Sequence, residues 1–156
     1  KINSSLPFYL PILLLALILI QVSLGALVSG LDASQIYQTW PLMNQSYFPD
    51  DSQLSDLLTL KSFEVPSVVQ FIHRNLAYFI VLVFFVIGFL IFKNNNFTHL
   101  RKSVLLVFIV LLLQIFLGIV SVLSGAYIVL ASMHQIGSIF LVTTSLILAF
   151  KNSKIS

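Results

Sequence analysis

The chain has 156 residues, of which 58% are hydrophobic and only 8% charged, with a formal net charge of +3 and no cysteine. Roughly a quarter of the residues in a soluble domain are charged, so this chain lacks the polar groups to cover itself and its outer surface must face lipid. The missing cysteines exclude disulfides, iron–sulfur clusters, thiolate metal sites and covalent cofactor attachment through Cys-x-x-Cys-His.

Lys1 is not an initiator residue, and a processed chain or a piece of a longer one is expected. The first apolar run follows no basic segment and carries no small-residue cleavage site, so it reads as a spanning helix rather than a leader. About 20 apolar residues cross about 30 Å of hydrocarbon, which places this helix at about residues 8–29, with Pro7 and Pro11 near its start, where missing backbone donors matter least. Residues 30–66 differ in kind. They carry Asp32, Asp50, Asp51, Asp56 and Glu64 together with Pro41, Pro49 and Pro66, and read as a long outer loop. Loops this long are usually functional or disordered. Tyr37, Trp40, Leu42, Met43, Tyr47 and Phe48 favour an ordered part packed on the bundle mouth, although Trp and Tyr also settle at bilayer interfaces.

The second helix is expected at about residues 67–92, with charge only at Arg74. From Ser103 to Phe150 there is no Asp, Glu, Lys or Arg. One straight helix of that length would reach about 70 Å at 1.5 Å per residue, so the run must fold back. Ser124 and Gly125 mark the break, giving helices at about 103–123 and 128–150. The expected architecture is an all-α integral membrane protein, a single domain over residues 1–156 forming a four-helix bundle with a long outer loop. Lys1, the loop with Lys93, Arg101 and Lys102, and the tail with Lys151 and Lys154 all fall on one side, and every carboxylate falls on the other. The excess of basic residues on inward-facing segments then places both termini in the cytoplasm or the mitochondrial matrix.

The second and fourth helices both start on the loop side, and His73 and His134 each lie about two turns in, roughly 9 Å at 1.5 Å per residue. Two imidazoles at matched depth on parallel helices can face each other across the bundle. Polar side chains inside a membrane are costly and point to function. Zinc would need further protein ligands, and no Cys, His or carboxylate lies at that depth. A haem needs only one or two axial ligands and a flat apolar slot, so the pair favours a haem over a bare metal. The competing reading has each histidine simply hydrogen-bonding a neighbouring helix. His99, among asparagines in the short basic loop, is expected to be solvated.

A weak repeat accompanies the pair: Gln21-x-x-Leu24-Gly25 in the first helix and Gln114-x-x-Leu117-Gly118 in the third, each preceding a histidine-bearing helix. The chain thus reads as two helix pairs related by a pseudo-two-fold axis along the membrane normal. The glycines serve either close approach to a macrocycle or helix packing. Arg74 suits a propionate carboxylate; it could instead snorkel or meet Asp32. Gln70 and Gln135 are candidates for orienting a ligand imidazole.

The run Leu24-Gly25-Ala26-Leu27-Val28-Ser29-Gly30-Leu31-Asp32-Ala33, then Tyr37-Gln38-Thr39-Trp40-Pro41-Leu42-Met43, resembles the haem A synthases, as do Val69-Gln70-Phe71-Ile72-His73-Arg74 and Leu130-Ala131-x-x-His134-Gln135. The match covers nearly the whole chain in motif order and looks like the proteobacterial and mitochondrial branch. Members of that family have eight spanning helices in two homologous halves. The amino-terminal half, with Glu-x-x-His-Arg motifs, binds the haem O substrate, and the carboxy-terminal half, with Gln-x-x-His-Arg, holds a haem b. Gln70 stands where the first half would have Glu, so the chain is similar to the carboxy-terminal half. The resemblance implies that His73 and His134 are axial ligands of a haem b that passes electrons. It also implies that the methyl group of haem O is oxidised to the formyl of haem A in a half this chain lacks, so no catalytic residue is expected here. Ser34, Gln38 and the proline-free turn at Tyr127-Ile128 depart from the family pattern.

The implied partners are membrane lipid, haem O and haem A through the other half, haem O synthase and an electron donor, with no nucleic acid. The implied location is a bacterial plasma membrane or the mitochondrial inner membrane. Two other functions fit the histidine pair: a self-contained membrane cytochrome b, and a haem carrier or assembly subunit for a terminal oxidase.

Overall fold

The computed structural model describes residues 5–154, so Lys1 and its part in the charge asymmetry lie outside the described residues. The described residues form four long helices: α1 (Tyr9–Gly30), α2 (Pro66–Lys93), α3 (Arg101–Leu123) and α4 (Ile128–Ser153). All four are long and apolar enough to cross a membrane. Short 3₁₀ turns at Ala33–Gln35, Leu54–Leu58 and Leu60–Phe63 punctuate the long loop, and another at Asn95–Leu100 leads into α3. Pro66 opens α2 at a first-turn position, where its fixed φ suits a helix start and its missing donor has no intrahelical partner to lose.

Each helix turns one stripe inward and leaves the rest to lipid. On α1 the stripe is Pro11, Leu14 and Ile18; on α2 it is Gln70, Arg74, Ile80, Phe84, Ile87 and Ile91; on α3 it is Ser103, Val104, Val107, Leu111, Gln114, Leu117 and Ser121. Most of these spacings are three or four residues, the helical period. The opposite faces expose Leu13, Ile20, Phe85, Phe89, Ile109 and Phe116, the reverse of what water would demand and what lipid permits.

α1 packs against α2 and α4, and α3 packs closely on α4 and more thinly on α2. That arrangement puts α2 and α4 on one diagonal of the bundle, running in the same direction. The two halves of the bundle differ. Toward the chain termini the interior is apolar and close-packed, with Leu14, Ile18, Phe84, Ile87, Ile91, Leu100, Val104, Val107 and Leu148 in one cluster. Phe84 and Phe108 stack there with ring centroids 5.9 Å apart. Toward the long loop the interior carries Gln21, Gln70, His73, Arg74 and Gln114. An apolar hollow of about 380 Å³ lies between α2 and α3, lined by Phe84, Gly88, Val104 and Phe108 among others; it is in the terminal half, away from the histidines.

The α3–α4 turn falls at Ser124–Tyr127. Gly125 and Ala126 take positive φ of 65° and 59°, and the amide of Gly125 donates to the Val122 carbonyl at 3.1 Å. A Cβ on Gly125 would sit 3.1 Å from the side-chain amide of Gln38, so the long loop rests directly on this turn.

At the other end, Asn152, fully buried, ties the chain's two ends together. The Leu6 amide donates to Asn152 Oδ1 at 2.8 Å and Asn152 Nδ2 donates to the Leu6 carbonyl at 3.0 Å. Replacing Asn152 by Ala would leave a buried donor and a buried acceptor unpaired, a loss of about 1–3 kcal/mol. Asn152→Ala is therefore expected to lower the thermal unfolding midpoint in detergent by several degrees; an unchanged midpoint would show that the Leu6 clasp contributes nothing.

Candidate functional site

The loop end of the bundle is organised by α2. Gln70 and Arg74 lie one turn apart on its inward face, and both reach the same atom. Gln70 Nε2 donates to the Tyr37 carbonyl at 3.0 Å and Arg74 Nη2 donates to it at 2.9 Å, while Arg74 Nη1 donates to the Leu42 carbonyl at 3.4 Å. A carbonyl has two lone pairs and accepts both donors. Arg74 thus meets loop backbone rather than Asp32; among the described residues the only ion pair joins Lys61 to Asp56 at 3.5 Å. Gln70 is spent on the loop as well, not on the His73 ring.

The loop closes onto this clamp. Tyr37 and Met43 are buried. The Tyr37 hydroxyl donates to Asp51 Oδ1 at 3.2 Å and accepts from the Asp50 amide at 3.1 Å. Trp40 Nε1 donates to the Tyr78 hydroxyl at 3.1 Å, and Tyr47 donates to Asn75 Oδ1. Tyr47 and Phe48 both pack edge-on against Phe71, with centroids 5.6 and 4.9 Å away. The aromatic residues of the loop therefore dock on the first four turns of α2.

His73 and His134 lie seven and six residues past the starts of α2 and α4, a depth of about 9–11 Å at 1.5 Å per residue. Both are half-buried. Each ring rests against a glycine of the preceding helix. A Cβ on Gly25 would lie 3.4 Å from His73 Cε1, and one on Gly118 would lie 3.1 Å from His134 Cε1. The glycines serve the imidazoles directly. In both rings Nδ1 is buried without a hydrogen-bond partner. Among the described residues no three His, Cys, Asp or Glu groups come together to hold a bare metal ion. Two nitrogen donors and no third suit an axial pair on a macrocycle that brings its own equatorial ligands, and the chain fits a haem on that ground.

Two further positions depart from expectation. Gln135 is exposed on the flank of α4, where its carbonyl accepts from Ser138 Oγ at 2.6 Å. Both ring nitrogens of His99 are buried and unpartnered, because the turn Asn95–Leu100 packs beneath α2, α3 and α4 instead of standing in solvent. One contact had no sequence signal beyond the repeat: Gln21 Nε2 lies 3.3 Å from His73 Nε2 and donates to the His73 carbonyl at 3.0 Å.

Residues 4–146 match the family model described as cytochrome oxidase assembly protein. The chain is 40% identical to "Heme A synthase" of Pelagibacter ubique over 153 residues, covering 98% of this chain and 45% of that protein. It is 40% identical to "Heme A synthase" of Bartonella quintana over 78% of this chain and 34% of that protein. For "Heme A synthase" of Rickettsia bellii the identity is 37%, over 92% and 42%. The chain thus spans less than half the length of these relatives. No solved structure matches it.

Burial and the Asp51 carboxylate hold the Tyr37 phenol above its ordinary value of 10.0. The folded protein keeps this proton more tightly than the unfolded chain does. The resulting stabilisation is whole below about pH 10 and is lost as pH rises through the folded value. Trp40, the only tryptophan, reports on the loop. Alkaline titration should shift its fluorescence as the loop loosens, with the step displaced or lost in Tyr37→Phe. The same step in both proteins would remove Tyr37 from the loop's attachment.

Proposed function

The chain belongs to the cytochrome oxidase assembly protein family, and on that premise we propose that it is the carboxy-terminal, haem b-holding half of a haem A synthase. In this reading it passes electrons in support of oxidation of the haem O methyl group to the formyl of haem A, which occurs in the other half. One observation carries the reading: two half-buried imidazoles at matched depth on diagonal, parallel helices, each seated on a glycine of the preceding helix.

Haem b, when bound, supplies a one-electron centre. The rest falls to the chain. His73 and His134 would hold the haem iron, and Gly25 and Gly118 let the rings lie against helix backbone. Arg74 has donors left after its two carbonyl bonds, including a buried, unpartnered Nε, and these suit a propionate carboxylate. The loop, held by Gln70 and Arg74, limits water at the mouth. Gln70 matters through its amide: it donates to the Tyr37 carbonyl, which an ionised glutamate cannot do. That choice fits a half built to hold its loop rather than to move protons. The matched Gly25–His73 and Gly118–His134 contacts support reading α1–α2 and α3–α4 as pseudo-two-fold-related pairs.

Lys93, Arg101, Lys102, Lys151 and Lys154 cluster at the ends opposite the acidic loop, which favours termini on the cytoplasmic or matrix side. The haem then lies near the outer face of a bacterial plasma membrane or the mitochondrial inner membrane. Partners in this reading are haem O and haem A through the other half, haem O synthase and an electron donor.

The purified protein is expected to give a low-spin, six-coordinate haem b spectrum. His73→Ala and His134→Ala are each expected to give five-coordinate or haem-free protein. An unchanged spectrum in either variant would remove that residue from the ligand set.

A further inference from the structure

The two helix pairs seat their histidines alike but treat them differently. Gln21 and Gln114 stand in the same place, four residues before the glycine that each imidazole touches. Gln21 Nε2 donates to the His73 carbonyl at 3.0 Å, and a carbonyl only accepts, so that end of the amide is the nitrogen. The same nitrogen lies 3.3 Å from His73 Nε2. An amide nitrogen has no lone pair to offer, so Nε2 must be the acceptor, and the ring proton sits on Nδ1. Gln114 does something else. A Cβ on Gly137, three residues after His134, would overlap the Gln114 amide, so Gln114 fills the notch that this glycine leaves. Gln114 Nε2 is buried without a partner, and Gln114 meets the His134 ring through its backbone carbonyl instead. The corresponding position after His73 is Leu76, which offers no such notch.

We propose that Gln21 is a positioning residue that competes with haem iron for the Nε2 lone pair of His73, making His73 a displaceable ligand. The inference rests on the haem reading above. Iron and the Gln21 N–H require the same lone pair. When His73 leaves the iron, Gln21 receives it; when His73 binds, Gln21 keeps only its bond to the His73 carbonyl. The detached state of His73 is thereby stabilised by one hydrogen bond from a side chain.

Carbon monoxide binding to the ferrous protein reads this directly, since the Fe–His73 bond must break before the Fe–CO bond forms, with no change in oxidation state. Gln21→Leu and Gln21→Met, which remove the donor and keep the bulk, should each weaken carbon monoxide binding by about fivefold, the worth of one hydrogen bond of about 1 kcal/mol. Gln114→Leu should leave it unchanged. Unchanged or tighter binding in both Gln21 variants would overturn the proposal, as would loss of haem from both, which would make Gln21 a folding residue. If the unmutated protein bound no haem, the haem reading would fail by itself. Nitrogen NMR of the imidazoles would then still test the contact, with the His73 Nε2 signal moving in Gln21→Leu and the His134 signals staying; an unmoved His73 signal overturns the Gln21 contact too.

Discussion

In an interior without water, every polar group must find its partner inside the protein, and the arrangement of this chain follows from that constraint. An unpaired backbone or side-chain group in hydrocarbon costs several kcal/mol, so four helices rich in Leu, Ile, Val and Phe turn their few polar residues inward. The polar residues are not spread evenly. The terminal half of the bundle is closed by apolar packing around Phe84, Ile87 and Val107, with the Asn152–Leu6 clasp at its edge. The loop half collects glutamine, histidine and arginine. Most of these pair with backbone carbonyls. The Nδ1 atoms of His73 and His134 do not.

The loop and the site are one construction. Tyr37 presents its carbonyl inward to Gln70 and Arg74, and its hydroxyl outward to Asp51 and the Asp50 amide. A single residue therefore joins the loop to the first turns of α2, directly above His73. Trp40, Tyr47 and Phe48 extend the same attachment along α2 to Tyr78. Holding the loop in this way fixes the outward ends of α2 and of the α3–α4 turn, where Gln38 meets Gly125, and so fixes the elements that carry both imidazoles.

Much of this was legible in the sequence because hydrophobic runs and their breaks carry their own record. The four spans, the fold-back at Ser124–Gly125 and the equal depth of the histidines needed only length, charge and 1.5 Å per residue. The glycines of the repeat pointed to close approach without saying what approached. Other features were hidden for a physical reason. Arg74 and Gln70 bind backbone carbonyls, and a carbonyl is present at every residue, so no pattern of side chains reveals which one is used. The same holds for Asn152 against Leu6. His99 looked solvated because its neighbours are asparagines; its burial depends on where a short turn packs beneath three helices. Gln21 was visible as part of a repeat, and its contact with His73, unlike the lodging of Gln114 against Gly137, came only from the three-dimensional arrangement.

In the proposed reading His73 and His134 together bind one haem iron. The most direct measurement is the nitrogen hyperfine spectrum of the ferric protein carrying isotope-labelled histidine, with a His99→Ala variant as control. Two axial imidazole nitrogens coupled to one iron, retained in the control, are the predicted result. Coupling to one histidine nitrogen or to none would contradict the account.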